Sequence, residues 1–318
     1  MKLSVVLVAY NMAREIPRTL ASLAPDYQRG CAGLDCEDYE VVLVENGSTH
    51  PLEPDTIKQL PDYCHYHYIA DAPSSPAHAI NVGVAASRGD ALAIMIDGAH
   101  MLTPGVLRYA KAAFAIFDHP VVVTRAFFLG PGDQNDTIFD GYSQAVEDEL
   151  LAKIDWPQDG YRLFEIGEPA QGYIPRISWF NRMIESNCLV LSRPVFDQIG
   201  GADERFDSPG GGFINLDIFR EAAGLPQTEV VQLIGEGTFH QLHGGTTTNV
   251  GAAERDAKVK QYEAQYRAIR GKDLDAPPKE LQFLGHMPTP RSKIHLLNHG
   301  REQKPIPEDL KLKILSEP

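Results

Sequence analysis

Apolar residues in this 318-residue chain gather into short unbroken runs, each closed by a polar turn. Ser4 to Tyr10 (SVVLVAY) stops at Asn11, and Glu40 to Val44 (EVVLV) runs into Glu45, Asn46, Gly47, Ser48 and Thr49. Ala91 to Ile96 (ALAIMI) ends in Asp97, Gly98, Ala99 and His100. Short runs without alternation predict strands buried on both faces of a parallel sheet, although periodicity alone does not separate them from buried helix. Helical spacing fills the gaps: Ile16, Leu20 and Leu23, with Pro17 held to the first turn, and Ala77, Ile80 and Val84 within Pro76 to Ser87. Thr103-Pro104 predicts a helix start, with a hydroxyl N-cap and proline at the first helical position, running to about Phe117.

The same reading predicts strands over Tyr66 to Ala70, Val121 to Thr124, Ser186 to Ser192 and Glu229 to Ile234. Helices are expected over Tyr142 to Ile154, Pro194 to Ile199, Asn215 to Ala223 and, as a charged surface helix, Ala252 to Arg270. Strands alternating with helices predict an α/β fold, a mostly parallel sheet with helices on both faces. Cys31 to Asp38 and Gly130 to Ile138 are expected as loops. Asp155 to Phe180, long and irregular with Trp156 and Trp179, is expected to contact substrate. Proline and charge dominate from Lys272 onward, which predicts a tail along the surface or partly disordered. The organisation expected is one domain over residues 1–250, then a C-terminal helix and extended tail over 251–318.

Composition narrows the partners. An apolar share of 43% allows a sizeable core, and a net charge of -14 with no basic block argues against nucleic acid. No apolar run reaches membrane-spanning length, and MKLSVVLVAYN lacks a signal-peptide layout. Cys31, Cys36, Cys64 and Cys188 have neither zinc-ribbon nor CxxC spacing, so reduced thiols in a cytoplasmic protein are expected. In open α/β sheets ligands bind at the carboxyl ends of strands. Asp97 and His100 would stand at such an end, where a carboxylate and an imidazole can share a divalent cation. The plain alternative is a polar turn, which Asp-Gly favours by itself.

The order of the pieces adds a resemblance. SVVLVAYN, a helix, VVLVENGST and AINVGVAASRGDALAIMIDGAHML together resemble the family 2 glycosyltransferases of the GT-A fold. Ala79, Asn81 and Gly83 meet that family's Ala-x-Asn-x-Gly helix, and Gly89-Asp90 its Gly-Asp pair. LVLSRPVFDQIGGADERF, with Gly200-Gly201 and Asp203-Glu204, resembles the segment before its acceptor site. The match runs from Leu3 to Arg220, with two departures. The second aspartate of an Asp-x-Asp motif is replaced by Ala99, and Ile214-Asn215 occupy the place of a Glu-Asp pair that supplies the general base.

The resemblance implies transfer of a sugar from a nucleotide-diphosphate donor, UDP ahead of GDP, to a hydroxyl of a glycan or small acceptor. A divalent cation, manganese ahead of magnesium, would be held by Asp97 and His100 with His243 or His240 from GTFHQLHGGTTTN, where Gly244-Gly245 lets backbone approach phosphates. The nucleotide would lie across Ala9, Tyr10, Asn11, Arg14, Glu45, Asn46 and Asp97, with Glu45 on the base and Arg14 reaching a phosphate or facing solvent. For the general base the resemblance leaves Asp217, which helical geometry turns about 200° from Asn215; Asp207 and Asp203 are the substitutes. Two other readings compete: a catalytically silent GT-A domain used as a binding module, and a nucleotidyltransferase. The second would carry a glycine-rich basic loop where this chain has VAYNMAREI.

Overall fold

The computed structural model describes residues 1–28, 39–170, 179–244, 251–276 and 279–286. Among the described residues the strands form one ten-stranded sheet: β1 (Leu3–Ala9), β2 (Tyr39–Glu45), β3 (Cys64–Tyr68), β4 (Ala91–Met95), β5 (His100–Leu102), β6 (Pro120–Leu129), β7 (Gly167–Pro169), β8 (Leu189–Ser192), β9 (Glu229–His240) and β10 (Leu281–Gly285). The main path is β10-β9-β6-β8-β4-β1-β2-β3. β1 pairs in parallel with β2 and β4, β2 with β3, and β9 with β6 and β10. β8 is antiparallel to β4 and β6, as are β5 to β9 and β7 to β6.

The helices are α1 (Ile16–Leu23), α2 (Pro54–Lys58), α3 (Ala77–Ala86), α4 (Val106–Ile116), α5 (Gln134–Thr137), α6 (Gln144–Lys153), α7 (Arg193–Gln198), α8 (Ile214–Gly224) and α9 (Ala252–Arg270). Every residue of β1 is buried because successive side chains feed opposite cores. Val5, Leu7 and Ala9 join α1 and α4 on one face; Val6 and Val8 join α3, α7 and α8 on the other. A third cluster packs Phe127, Phe164, Trp179 and Phe239. The Ala-x-Asn-x-Gly helix has a packing logic. A Cβ at Gly83 would strike the Val6 and Val44 side chains, so α3 lies close on β1 and β2. Asn81 exchanges hydrogen bonds with the Ala202 backbone, 2.9 Å each way, and fixes the Gly200-Gly201 turn.

Several expectations change. Thr103 is not the cap of α4, whose N-cap is Gly105; its hydroxyl instead donates to Glu236 Oε2 at 2.5 Å and accepts from Gly237 N at 2.9 Å. Part of the expected 130–138 loop is helical, as α5. β5 is too short to leave a periodic signal. β9 runs six residues beyond its expected end, as far as His240. α9 is less a surface helix than its charge suggests, since Tyr262 and Tyr266 are buried. After it, β10 pairs in parallel with β9 where only a tail was expected. Cys64 and Cys188 are free and buried, and burial pushes both thiols up to about 12. Cys31, Cys36, Gly245 and the tail beyond residue 286 lie outside the described residues. Among the described residues no helix is long and apolar enough to cross a membrane.

β1 is the first strand in sequence yet lies inside the sheet, with β2 and β3 to one side and β4 and the later strands to the other. That reversal of direction opens a crevice outside the carboxyl ends of β1 and β4.

Candidate active site

Asp97 stands two residues past the end of β4. Its Oδ1 accepts from Ala99 N at 2.8 Å, closing the turn. Its Oδ2 faces His243 Nε2 at 3.1 Å and His240 Nε2 at 3.4 Å. The β5–β9 pairing sets His100 directly opposite His240, and His243 follows three residues on. Asp97, His100 and His240 each offer a ligand atom, all within 4.8 Å of one another. Burial alone would raise the Asp97 carboxyl, but His243 and His240 hold it well below the usual range. Burial and the nearby His240 push His100 down to about 3, so that ring is neutral. Burial lowers His240 as well, whereas the pull of Asp97 outweighs burial at His243 and raises it.

Gln134, a residue with no motif to mark it, sets the tautomer of His240. Its Nε2 donates to the carbonyls of Leu129 (3.2 Å) and His240 (3.0 Å), which leaves Oε1 to accept from His240 Nδ1 at 2.7 Å. With Nδ1 protonated, the lone pair of His240 Nε2 faces Asp97 and His243, whose own Nε2 is 3.0 Å away. Among the described residues, His100 Nδ1 is buried without a partner. The lone pair of His240, a ring nitrogen of the neutral His100 and a carboxylate oxygen of Asp97, all within 4.8 Å of one another, fit a divalent cation, and a donor set rich in imidazole suits manganese better than magnesium or calcium. Gln134→Leu should therefore weaken manganese binding by about 10–100-fold in calorimetry, the usual loss when an outer partner of a ligating histidine is removed. Unchanged affinity in a folded variant would mean that another group orients His240.

The cluster opens on a cleft of about 1350 Å³ that Ala9, Tyr10, Asn46 and Asp97 also line. Tyr10 is 49% exposed at its rim. Asn46 is buried; its Nδ2 donates to the carbonyls of Pro73 (3.0 Å) and Ser75 (3.4 Å), while its Oδ1 lacks a partner among the described residues. Three other expected nucleotide residues do not line the cleft. Glu45 turns into the protein, where Oε2 accepts from the Tyr66 hydroxyl at 2.5 Å and from Leu52 N at 3.2 Å. Asn11, at φ 54°, braces the turn after β2 through Thr49 and the amide of His50. Arg14 is drawn to α6, pairing with Glu147 at 3.2 Å and Asp148 at 2.6 Å.

The expected bases are likewise engaged elsewhere. Asp217 is buried under a two-pronged bond from Arg270, 2.8 and 2.7 Å, and anchors the end of α9. Asp203 pairs with Arg205 and, at 3.2 Å, with Arg270. Asp207 is exposed and accepts from Gln265 Nε2 at 2.7 Å. None of the three lines the cleft. Two residues the sequence reading passed over do: Glu185 and Arg125. Asn215 Nδ2 donates to Glu185 Oε2 at 2.6 Å. Protein crowding around this accessible side chain raises its carboxyl, and the Asn215 bond pulls it partly back. Arg125 is 5% exposed, and its guanidinium donates from Nη2 to Asn181 O at 2.7 Å; burial lowers it to about 10.

The sequence matches the family model for Glycosyl transferase family 2 over residues 4–184, more than half of the chain. No curated protein matches it. Among solved structures it is similar to TarS of S. aureus, with 13% identity and a TM-score of 0.50 over 84% of this chain. This chain covers 44% of that one, less than half its length. It is also similar to TarS 1-349 in complex with UDP-GlcNAc (13% identity, TM-score 0.49, 84% of this chain and 73% of that one). A mannosyltransferase from Pyrobaculum calidifontis in complex with GDP-Man and Mn2+ is similar at 15% identity and TM-score 0.47, over 87% of this chain and 66% of that one.

Proposed function

This chain belongs to glycosyl transferase family 2 and is a glycosyltransferase, and on that premise we propose that it transfers a sugar from a UDP-sugar to a hydroxyl acceptor with a divalent cation, manganese ahead of magnesium, at Asp97, His100, His240 and His243. The observation that carries this reading is the convergence of one carboxylate and three imidazoles beside the crevice at the ends of β1 and β4. Ala9, Tyr10 and Asn46 form the nucleotide wall. The Oδ1 of Asn46, unpartnered among the described residues, is a fixed acceptor for a base N–H, the part first expected of Glu45. When bound, the cation offsets charge that grows on the leaving diphosphate. The chain's own residues hold it, keep His100 and His240 in their neutral form and position the acceptor hydroxyl for proton removal.

Calorimetry with UDP and GDP, with and without manganese, tests this. UDP should bind more tightly than GDP, and manganese should tighten UDP by at least about tenfold, 1.4 kcal/mol. UDP-GlcNAc and GDP-Man are the donors to assay for nucleotide release. Binding of neither nucleotide under either condition would sink the reading. Tight binding of UDP and manganese with no release from any donor would favour the silent binding module.

A further inference from the structure

Transfer to a hydroxyl needs a base, and the three carboxylates expected to supply it are all outside the cleft. Among the described residues the cleft is lined by five carboxylates: Asp97, Asp133, Glu185, Glu263 and Asp273. Asp97 belongs to the histidine cluster. Asp133 caps α5, accepting from Asn135 N at 3.0 Å, and Asp273 pairs with Arg267. Glu263 lies on α9. Glu185 is placed differently. It lies four residues before β8, which runs antiparallel to β4, so it enters the sheet at the edge where β4 ends and Asp97 begins. Its carboxylate is held by a single side-chain amide at 2.6 Å and by no cation among the described residues.

We propose that Glu185 is the general base of this glycosyltransferase, held in position by Asn215; the inference rests on the function proposed above. Where the sequence departs from its family, at Asn215, the structure has an amide that holds a carboxylate brought in from the segment before β8. In the step assigned to it, the acceptor oxygen forms a bond to the anomeric carbon while the bond from that carbon to the donor diphosphate breaks. The bonding pair leaves with the diphosphate, and the acceptor proton passes to Glu185. One Asn215 amide leaves the carboxylate lone-pair capacity to receive it. Crowding that disfavours the charged form makes the group a better base at neutral pH than a solvated carboxylate.

The test uses the full chain with manganese, and UDP-GlcNAc and GDP-Man as probes, reading nucleotide release with water as acceptor. Glu185→Gln keeps the shape and the Asn215 bond, and should lower kcat by about 10²–10⁴-fold while UDP and manganese affinities stay as in the wild type. Asn215→Ala removes a bond to the charged form, so the acid limb of its pH–rate profile should move to higher pH. A structural role for Asn215 would not move that limb. Glu185→Gln within about threefold of wild-type turnover, or loss confined to Glu263→Gln, would overturn the inference alone. A wild type that binds UDP and manganese yet releases nucleotide from neither donor would overturn it together with the function it rests on.

Discussion

Asp97→Ala should abolish cation binding and turnover together. Among the described residues Asp97 is the only carboxylate in the ligand cluster, and the other donors are neutral imidazoles. A hard divalent ion needs that negative charge. Loss of a direct ligand should cost more than the loss of an outer partner, hence more than about 100-fold in manganese affinity. The rate should fall by about a thousandfold or more, because leaving-group charge stabilisation is worth several kcal/mol and each 1.36 kcal/mol is tenfold. Asp97→Asn separates charge from shape: it keeps an oxygen for the Ala99 amide and should fail nearly as badly. Manganese binding by electron paramagnetic resonance and UDP binding without metal are the two readouts. The first should vanish and the second should change little. Wild-type manganese affinity in Asp97→Ala would remove the cluster from the chemistry.

Much of the fold was legible because local pattern and tertiary role coincide. β1, β2 and β4 are buried on both faces, so apart from Ser4, Glu40 and Glu45 their positions are apolar and the run is visible without knowledge of its neighbours. α1 and α3 likewise show their core stripes at the expected spacing. The misreadings arise where a residue's task is set by distant chain. Thr103 has the look of a cap, but Glu236, 133 residues away, claims its hydroxyl. β5 and β10 are strands because β9 offers them an edge, which no local pattern records.

The site divides along the same line. Asp97 and His100 could be nominated from type and position at a strand end, His240 and His243 from the family resemblance, and the structure brings all four together. Glu45, Arg14 and Asp217 have the right chemistry at plausible positions, yet Tyr66, Glu147 and Arg270 capture them. A polar residue at a strand end carries no mark of whether protein or ligand will satisfy it. Gln134 and Glu185 were missed because their value lies in a partner far along the chain, His240 for one and Asn215 for the other. One signal was available: an asparagine where a base was expected implies that an acid nearby has to be found.

Manganese affinity should rise with pH by about tenfold per unit through the range below the His243 value, then level off. Only neutral imidazole binds metal, so each ligand protonated in the free enzyme adds one proton to be displaced. His100 and His240 are pushed down and carry none near neutrality; His243, raised by Asp97, carries one. The slope of log affinity against pH should accordingly be one, not two or three. Stability without metal should run the other way. A histidine whose folded value lies above its unfolded value, about 6.5, contributes stability that is full below that unfolded value and lost as pH rises through the folded one. Glu236, pushed up to about 7 by burial, adds a decline of the same sign as it ionises. The difference between wild type and His243→Gln isolates the histidine. Metal-free wild type should lose its advantage in thermal midpoint as pH rises, and the same change should flatten the pH dependence of manganese binding in the variant. A slope near two would mean that His240 is protonated in the free enzyme, and Gln134 would then not fix its lone pair toward the cation.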